Sequence, residues 1–282
     1  VSAQVDPGTV AEALALARAL GVERLDAQLL LAHHHSRPRA WLLAHAEAAL
    51  PPAIAAAVAT GLHRRAAGEP LAYVLGHAEF RGLRLAVGPD VLIPRPETEL
   101  LVEWALECLN GVDSPRVLDL GTGSGAIVLA LGAARSDARL HASDLSPDAL
   151  AVARRNATAL GQAVRFAEGP WWQPWAGERF DLVVANPPYV AEGDRHLAAL
   201  GHEPLQALTA GPQGLDDLRA IIDDAWPHLR PGAWLLMEHG HDQGDALRAL
   251  LAAAGLQGAQ TRRDLAGLDR CTGARRPAEP ML

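Results

Sequence analysis

The chain has 282 residues, 49% of them hydrophobic and 21% charged, with a formal net charge of −8: the balance of a soluble globular protein with room for one large domain, or for a domain plus a smaller one. An acidic chain argues against a dedicated binder of phosphate backbones, and no run reaches the ~18 consecutive apolar residues of a membrane span. All 25 basic residues are arginine, which excludes a catalytic lysine or a Schiff base.

Residues 1 to about 80 have the periodicity of short helices. Thr9, with Glu12 three positions on, caps a helix that runs to Leu20 and carries Leu14, Leu16, Ala17 and Leu20 as its apolar stripe. Further helices are expected over about 25–35 and 39–47, from Pro51-Pro52 to Gly68, and briefly after Pro70. Such a set packs as a small antiparallel bundle over residues 1–76. It holds no chemical motif. The run His33-His34-His35 is no metal site on this reading, because adjacent helical residues point about 100° apart and three in a row share no face. The opening residues, with Asp6 and Glu12, lack the basic start and apolar middle of a signal peptide. Cys108 and Cys271 have no ligand-spaced neighbours, so a reduced, cytoplasmic protein is expected.

The period changes after His77. Phe80, Leu83, Leu85 and Val87, then Val91-Leu92-Ile93, suggest a β-hairpin turning at Gly88-Pro89-Asp90, a linker over 77–95. Ile93-Pro-Arg95-Pro-Glu97-Thr98-Glu99 follows, its charges held between prolines in a fixed loop, and a helix runs from Glu97 or Thr98 through Leu109. From Arg116 strands and helices alternate, which predicts a parallel sheet. Strands are expected at 117–120, 140–143 and 164–166, in the run ending at Asn186, at 233–238, near 260–262 and at 271–275. Helices are expected at 126–134, 147–160, about 216–229 and about 243–254. The fold class is α/β, with seven mostly parallel strands in a domain over 96–282.

The first of these strands ends in a glycine loop. Gly121, Gly123 and Ala126 fit G-x-G-x-x-A, and Asp144 lies about 20 residues on, at the end of the second strand. Taken alone, that pattern serves NAD about as well as S-adenosylmethionine, since both present an adenosine ribose to an acid and need glycines for close backbone approach. Asp119 tilts the choice, because an acid before the loop suits a cationic amino-acid tail and repels a pyrophosphate.

The second feature is Asn186-Pro187-Pro188-Tyr189, just past the buried strand Leu182-Val-Val-Ala185. Two prolines stiffen the backbone there. The carboxyl edge of an open parallel sheet is where ligands bind. The Asn186 side-chain oxygen and the Pro187 carbonyl are two acceptors for the hydrogens of a planar NH2 group, and Tyr189 offers an aromatic face. A nicotinamide enzyme has no use for this tetrapeptide. It resembles the signature of amino-methyltransferases acting on adenine N6, cytosine N4 or glutamine N5.

Over almost its whole length the chain is similar to the HemK/PrmC family, the N5-glutamine methyltransferases of peptide chain release factors. The resemblance rests on the helical first part, Phe80-Arg-Gly82-Leu, Val91-Leu-Ile-Pro-Arg-Pro-Glu-Thr-Glu99, the glycine loop, Asn186-Pro-Pro-Tyr189 and Glu203-Pro204-Leu205. It implies a Rossmann-like class I methyltransferase sheet behind the bundle and hairpin, and methylation of the glutamine in the Gly-Gly-Gln tip of release factors. It implies that Gly121, Thr122, Gly123, Ser124, Gly125 and Asp144 hold S-adenosylmethionine, with Trp171 lining the adenine pocket. Asn186 would touch cofactor and substrate, and Asn186, Pro187, Pro188 and Tyr189 would bind the glutamine amide. A monomer with no metal, no membrane and no direct nucleic-acid contact is expected, its bundle docking the release factor. One departure is Pro170, where the family places an Asp that reaches the adenine amino group; Glu168 or packing alone would have to replace it. Two alternatives stay open: an adenine N6 nucleic-acid methyltransferase, which needs base flipping and a basic groove, and an NAD-dependent oxidoreductase.

Overall fold

The computed structural model describes residues 6–278, so the outermost residues of the expected ranges 1–76 and 96–282 lie outside the description. The chain divides into two compact units between His77 and Ala78.

In the first unit the described residues form α1 (Val10–Ala19), α2 (Arg24–His35), α3 (Arg39–Ala44), α4 (Pro52–Ala66) and α5 (Leu71–Leu75). Thr9 Oγ1 accepts the Glu12 N–H at 3.2 Å, and the Glu12 carboxylate accepts the Gly8 N–H at 2.6 Å, a capping box displaced by one residue. The buried stripe of α1 is Val10, Ala13 and Ala17, with Leu14, Leu16 and Leu20 only partly covered. Small side chains on that line let α1 approach α2 and α4 closely. Helix α3 stops short of the expected end at 47. His45 turns its ring back to the Trp41 carbonyl at 2.8 Å and stacks on the Trp41 ring at 4.3 Å. The histidine run diverges: the His33 ring meets those of His34 and His77, and the His35 ring meets Trp41.

The hairpin consists of β1 (His77–Phe80) and β2 (Leu83–Ala86). Its turn is Arg81-Gly82, not the expected Gly88-Pro89-Asp90. Both turn residues are left-handed, at φ 48° and 75°, which matches the twist of a tight hairpin. Val91-Leu92-Ile93 forms no strand, because the Ile93 N–H is taken by the Glu203 carboxylate at 3.1 Å.

The second unit continues with α6 (Glu99–Cys108), β3 (Arg116–Leu120), α7 (Ala126–Ala134), β4 (Arg139–Asp144), α8 (Pro147–Ala159), β5 (Val164–Glu168) and β6 (Phe180–Ala185). Then come α9 (Asp216–Asp223), β7 (Leu229–Glu238), α10 (Gly244–Ala253), β8 (Gln257–Arg263) and β9 (Asp269–Arg275). Helix α9 ends earlier than expected, ahead of Pro227, which opens a short 3-10 turn and has no N–H to extend an α-helix. Strand order is β5-β4-β3-β6-β7-β9-β8, with β9 antiparallel to both neighbours. Val117, Leu182, Val184 and Leu236 face one core with α6 and α7; Leu118, Val183, Ala185 and Leu235 face the other with α9 and α10. Burial on both faces explains why these strands read as unbroken apolar runs.

After β5 the chain crosses to the other side of β3, so the order reverses between β3 and β6. Their ends are in register, Leu120 beside Ala185. The glycine loop and Asn186 therefore leave the sheet side by side at its topological switch point, where a crevice opens. Among the described residues no helix is long and apolar enough to cross a membrane.

Candidate active site

A cavity of about 340 Å³ fills that crevice. Gly121, Thr122, Gly123 and Ser124 wall one side, with Ala126 and Ile127 at the start of α7. Gly121 and Gly123 sit at φ 69° and 55°. A Cβ on Gly121 would lie 3.2 Å from the Trp171 ring and would sit on a left-handed backbone, so a side chain there would be strained and crowd the ring. Gly125 is not on the wall; it is the left-handed residue that starts α7.

Asp144, the last residue of β4, ties the loop from the side. Its Oδ2 accepts the Gly123 N–H at 2.8 Å and its Oδ1 the Ser146 N–H at 2.9 Å. Burial pushes its carboxyl up, and these backbone donors pull it back down. Asp119 ties the loop from beneath. It is fully buried, is not on the cavity wall, and accepts the Thr122 hydroxyl at 2.7 Å. Burial raises its carboxyl to about 7, against the pull of the Thr122 hydroxyl and the Val128 N–H. It braces the loop rather than meeting a ligand's tail directly.

The walls fit S-adenosylmethionine. The glycine cradle admits close approach, the Asp144 carboxylate has lone pairs left for ribose hydroxyls, and the amino end of α7 suits the carboxylate of an amino-acid tail. Leu145, 65% exposed on the cavity wall, offers an apolar face for a base.

The three neighbouring tryptophans divide. Trp172 donates to the Ile221 carbonyl at 2.9 Å and Trp175 to Ser143 Oγ at 3.0 Å, both inside the core. Trp171 alone lines the cavity, held at φ 37°. A left-handed tryptophan is strained, and strain of this kind gathers at functional sites. Glu168 is exposed and off the wall, so it does not stand in for the acid that Pro170 displaces. Asp217, in the first turn of α9, does line the cavity beside Gly169, Pro170 and Trp171, and takes a hydrogen bond from the Trp171 indole. Nothing local in the sequence marks Asp217, which the order of the sheet carries to this end of the crevice.

Opposite the loop stand Asn186, Pro187 and Pro188. The Asn186 Nδ2 donates to Thr98 Oγ1 at 3.3 Å, which leaves Oδ1 as an acceptor. Tyr189 is not on the wall. Its ring packs on the second core and its hydroxyl donates to Glu238 Oε1 at 3.1 Å, so the expected aromatic face toward the NH2 group is not formed by this residue. Val91, Leu92, Pro94 and Arg95, and Pro204, Gln206 and Ala207, complete the lining. Glu203, 3% exposed in its side chain, joins the two by pairing with Arg95 and the Ile93 N–H. Thr98, Arg95 and Glu203 lay inside recognised motifs, but the sequence assigned them no role.

Residues 11–76 match the family model of the PrmC N-terminal domain, and residues 97–208 that of the methyltransferase small domain. The release factor glutamine methyltransferase of Bordetella pertussis is 51% identical over 256 residues, covering 90% of this chain and 95% of that one. That of Burkholderia pseudomallei is 47% identical over 280 residues, covering 96% and 97%. Among solved structures, the hMettl16 catalytic domain shares the fold at a TM-score of 0.57 and 18% identity, over 84% of this chain and 87% of that one. The T. thermophilus 16S rRNA N2 G1207 methyltransferase, in complex with AdoMet and guanosine, does so at 0.55 and 22%, over 71% and 49%. By its sequence identity along nearly the whole length, the chain belongs to the release factor glutamine methyltransferase family.

Proposed function

We infer that the protein transfers a methyl group from S-adenosylmethionine to the side-chain N5 of the glutamine in the Gly-Gly-Gln tip of peptide chain release factors. The observation that carries this reading is the Asn186 amide, its NH2 engaged by Thr98 and its oxygen left to accept, across a crevice from a glycine loop. The reading makes the protein a cytoplasmic monomer that meets the release factor directly and binds no nucleic acid or membrane. Among the described residues, 6–76 carry no cavity-lining group, and the range 1–76 is assigned to substrate docking.

S-adenosylmethionine supplies a methyl group on a sulfonium sulfur, which leaves as a thioether with the electron pair of the broken C–S bond. The residues around it have three tasks. Gly121 to Ser124 and Asp144 hold the nucleoside and the amino-acid tail, with Gly125 turning the chain into α7 behind them, while Leu145, Trp171 and Asp217 hold the adenine. Asp217 takes over the amino-group contact that Pro170 cannot make. Asn186 Oδ1 and the Pro187 carbonyl accept the two N–H groups of the glutamine amide and aim its nitrogen at the methyl carbon.

An amide nitrogen is a poor nucleophile, because its lone pair is delocalised into the carbonyl. Acceptors on both hydrogens counter this by stabilising the positive charge that grows on nitrogen as the N–C bond forms. Fixing the attack line supplies about 7–11 kcal/mol of barrier lowering. The nitrogen then carries one proton too many, is strongly acidic, and loses it to water.

Incubating the protein with labelled S-adenosylmethionine, a release factor and DNA tests the assignment. Label is expected on the release factor alone, and none on a release factor whose tip Gln is changed to Glu, which has no NH2. Label in DNA or in the Glu tip would sink it.

A further inference from the structure

Pro187 and Pro188 have no N–H, so the stretch that carries the two proposed acceptors cannot donate to a neighbour at either position. Upstream it is held by β6, whose last residue, Ala185, pairs with Leu120 on one side and Met237 on the other. Its downstream end is held by a side chain. Gln243, 8% exposed just ahead of α10, donates from Nε2 to the Tyr189 carbonyl at 3.1 Å. The same nitrogen donates to the Gly214 carbonyl at 3.1 Å and the Gln213 carbonyl at 3.3 Å, so one of its two hydrogens is shared. The side-chain oxygen accepts the Gly240 N–H at 2.8 Å. Carbonyls at one end and an N–H at the other allow the amide only this orientation. Gly214, left-handed at φ 67°, lies so close to the Tyr189 carbonyl that a Cβ has no room there. Gln243 does not line the cavity, so it acts on the site through the segments it ties.

We propose that Gln243 is a positioning residue for methyl transfer: by holding the Tyr189 carbonyl it fixes the peptide that follows Pro188, and with it the direction in which the Pro187 carbonyl and the Asn186 amide meet the substrate NH2. A single planar amide suits this task because it joins three segments: the end of the prolyl stretch, the approach to α9 and the exit of β7 at Gly240. An apolar side chain of the same length would fill the space and leave all three untied. This rests on the reading of Asn186 and the Pro187 carbonyl as acceptors for the substrate amide.

The test uses the full chain with Gln243→Met and Gln243→Glu. Single-turnover methylation of release factor, with cofactor and release factor saturating, is read beside S-adenosylmethionine affinity and stoichiometry by calorimetry, so that each rate refers to folded protein. Methionine keeps the length of glutamine and has no side-chain N–H. It should lower the methyl-transfer rate by about tenfold to a hundredfold, as misalignment does. Cofactor affinity should stay within about twofold, the scatter of uncoupled sites, because Leu218, Ile221 and Ile222 seat α9 in its core and the glycine loop stands across the crevice. Glutamate keeps the shape of glutamine and the acceptor for Gly240. Ionised, it sets negative oxygens against the three carbonyls; protonated, it offers them one O–H. Burial among carbonyls raises such a carboxyl, so the Gln243→Glu rate relative to the wild type should climb as pH falls from about 8.5 to about 6, while that of Gln243→Met stays flat. The neighbouring titratable groups, Glu238, His239, Asp242 and Arg270, are common to all three proteins and cancel in that ratio. A native rate in Gln243→Met, beside a wild type that methylates normally, would overturn the positioning role alone. Should the methionine variant fail to fold, a Gln243→Glu ratio that ignores pH would overturn it. Cofactor affinity that falls as far as the rate would assign Gln243 a merely structural role and overturn it as well. A wild type that transfers no methyl group to release factor overturns the functional reading and the positioning role with it.

Discussion

Asn186→Ala removes one of two acceptors from the crevice and little that the fold depends on. The side chain lies just beyond β6, and its one described hydrogen bond is the 3.3 Å contact from Nδ2 to Thr98. Losing a bond of that kind costs about 0.5–1.5 kcal/mol of stability. That is a fall of a few degrees in Tm for a unit of this size. The rate should respond far more. Deleting one preorganised partner of a developing charge costs about 10²–10³ in turnover, and the freed substrate NH2 loses its aim as well. Aspartate keeps an acceptor oxygen, although it brings a second carboxylate close to Thr98 and Glu238. It should retain measurable activity, so the order is Asn, then Asp, then Ala. Single-turnover transfer of labelled methyl to release factor gives the rates, and thermal unfolding with cofactor calorimetry confirms an intact protein. If Asn186→Ala methylates at near the native rate, acceptor positioning is not how this site works.

Asp144→Ala should weaken S-adenosylmethionine binding by about 1.5–3 kcal/mol, the worth of hydrogen bonds to a charged group; equal affinities by calorimetry would remove Asp144 from the site. Asp217→Ala should raise the Kd for S-adenosylhomocysteine about tenfold, one charge-assisted bond, and leave that for its 6-oxo inosine analogue unchanged; an unchanged ratio would place the adenine elsewhere. Asp119 is raised from 3.8 to about 7 by burial, so the folded state keeps a proton that the unfolded state releases, and stability should fall as pH rises through that window. Asp119→Asn should abolish this slope and gain up to about 4 kcal/mol at pH 8 without cofactor; denaturant unfolding at both ends of the window would show the slope unchanged if Asp119 is not its source. A chain begun at Ala78 should bind cofactor but lose kcat/KM on intact release factor, and an unaltered kcat/KM in that folded protein would free residues 1–77 of any docking role.

What was legible in the sequence follows how local each feature is. Strand β3, the glycine loop and α7 form one stretch whose apolar run and glycine spacing are written consecutively, so its elements fall where expected. The expected and observed hairpin turns differ because Gly88-Pro89-Asp90 is a strong turn signal, whereas Arg81 at φ 48° is a left-handed residue that nothing in its type announces. The expected α9 exceeds the observed one because an apolar period continues past Asp224, while Pro227, with no N–H to donate, falls in a 3-10 turn instead. The aromatic run at 171–175 shows three tryptophans and cannot show that two hydrogen-bond inward. Asp217 in α9 and Thr98 just ahead of α6 both line the crevice, and only the sheet order brings them there.

Methylation of an amide nitrogen needs no general base, because the proton leaves readily once the N–C bond has formed. Tyr189 follows the prolines, but burial and the Glu238 carboxylate both raise its hydroxyl, so it stays a donor at neutral pH. Asp144 is engaged by backbone donors, Asp217 by the Trp171 indole and Arg95 by Glu203, each fixed by a partner from another element. A base could not deprotonate an amide before attack at neutral pH without a far stronger driving force than these groups offer. After attack the N-protonated amide needs no help. Chemistry of this kind selects for acceptors held in place rather than for proton carriers. A strand end stiffened by two prolines and an asparagine held from behind by Thr98 supply such acceptors. Selectivity follows from the same arrangement: a glutamate side chain would set oxygen against oxygen at Asn186 Oδ1 and the Pro187 carbonyl, and only an NH2 group satisfies both.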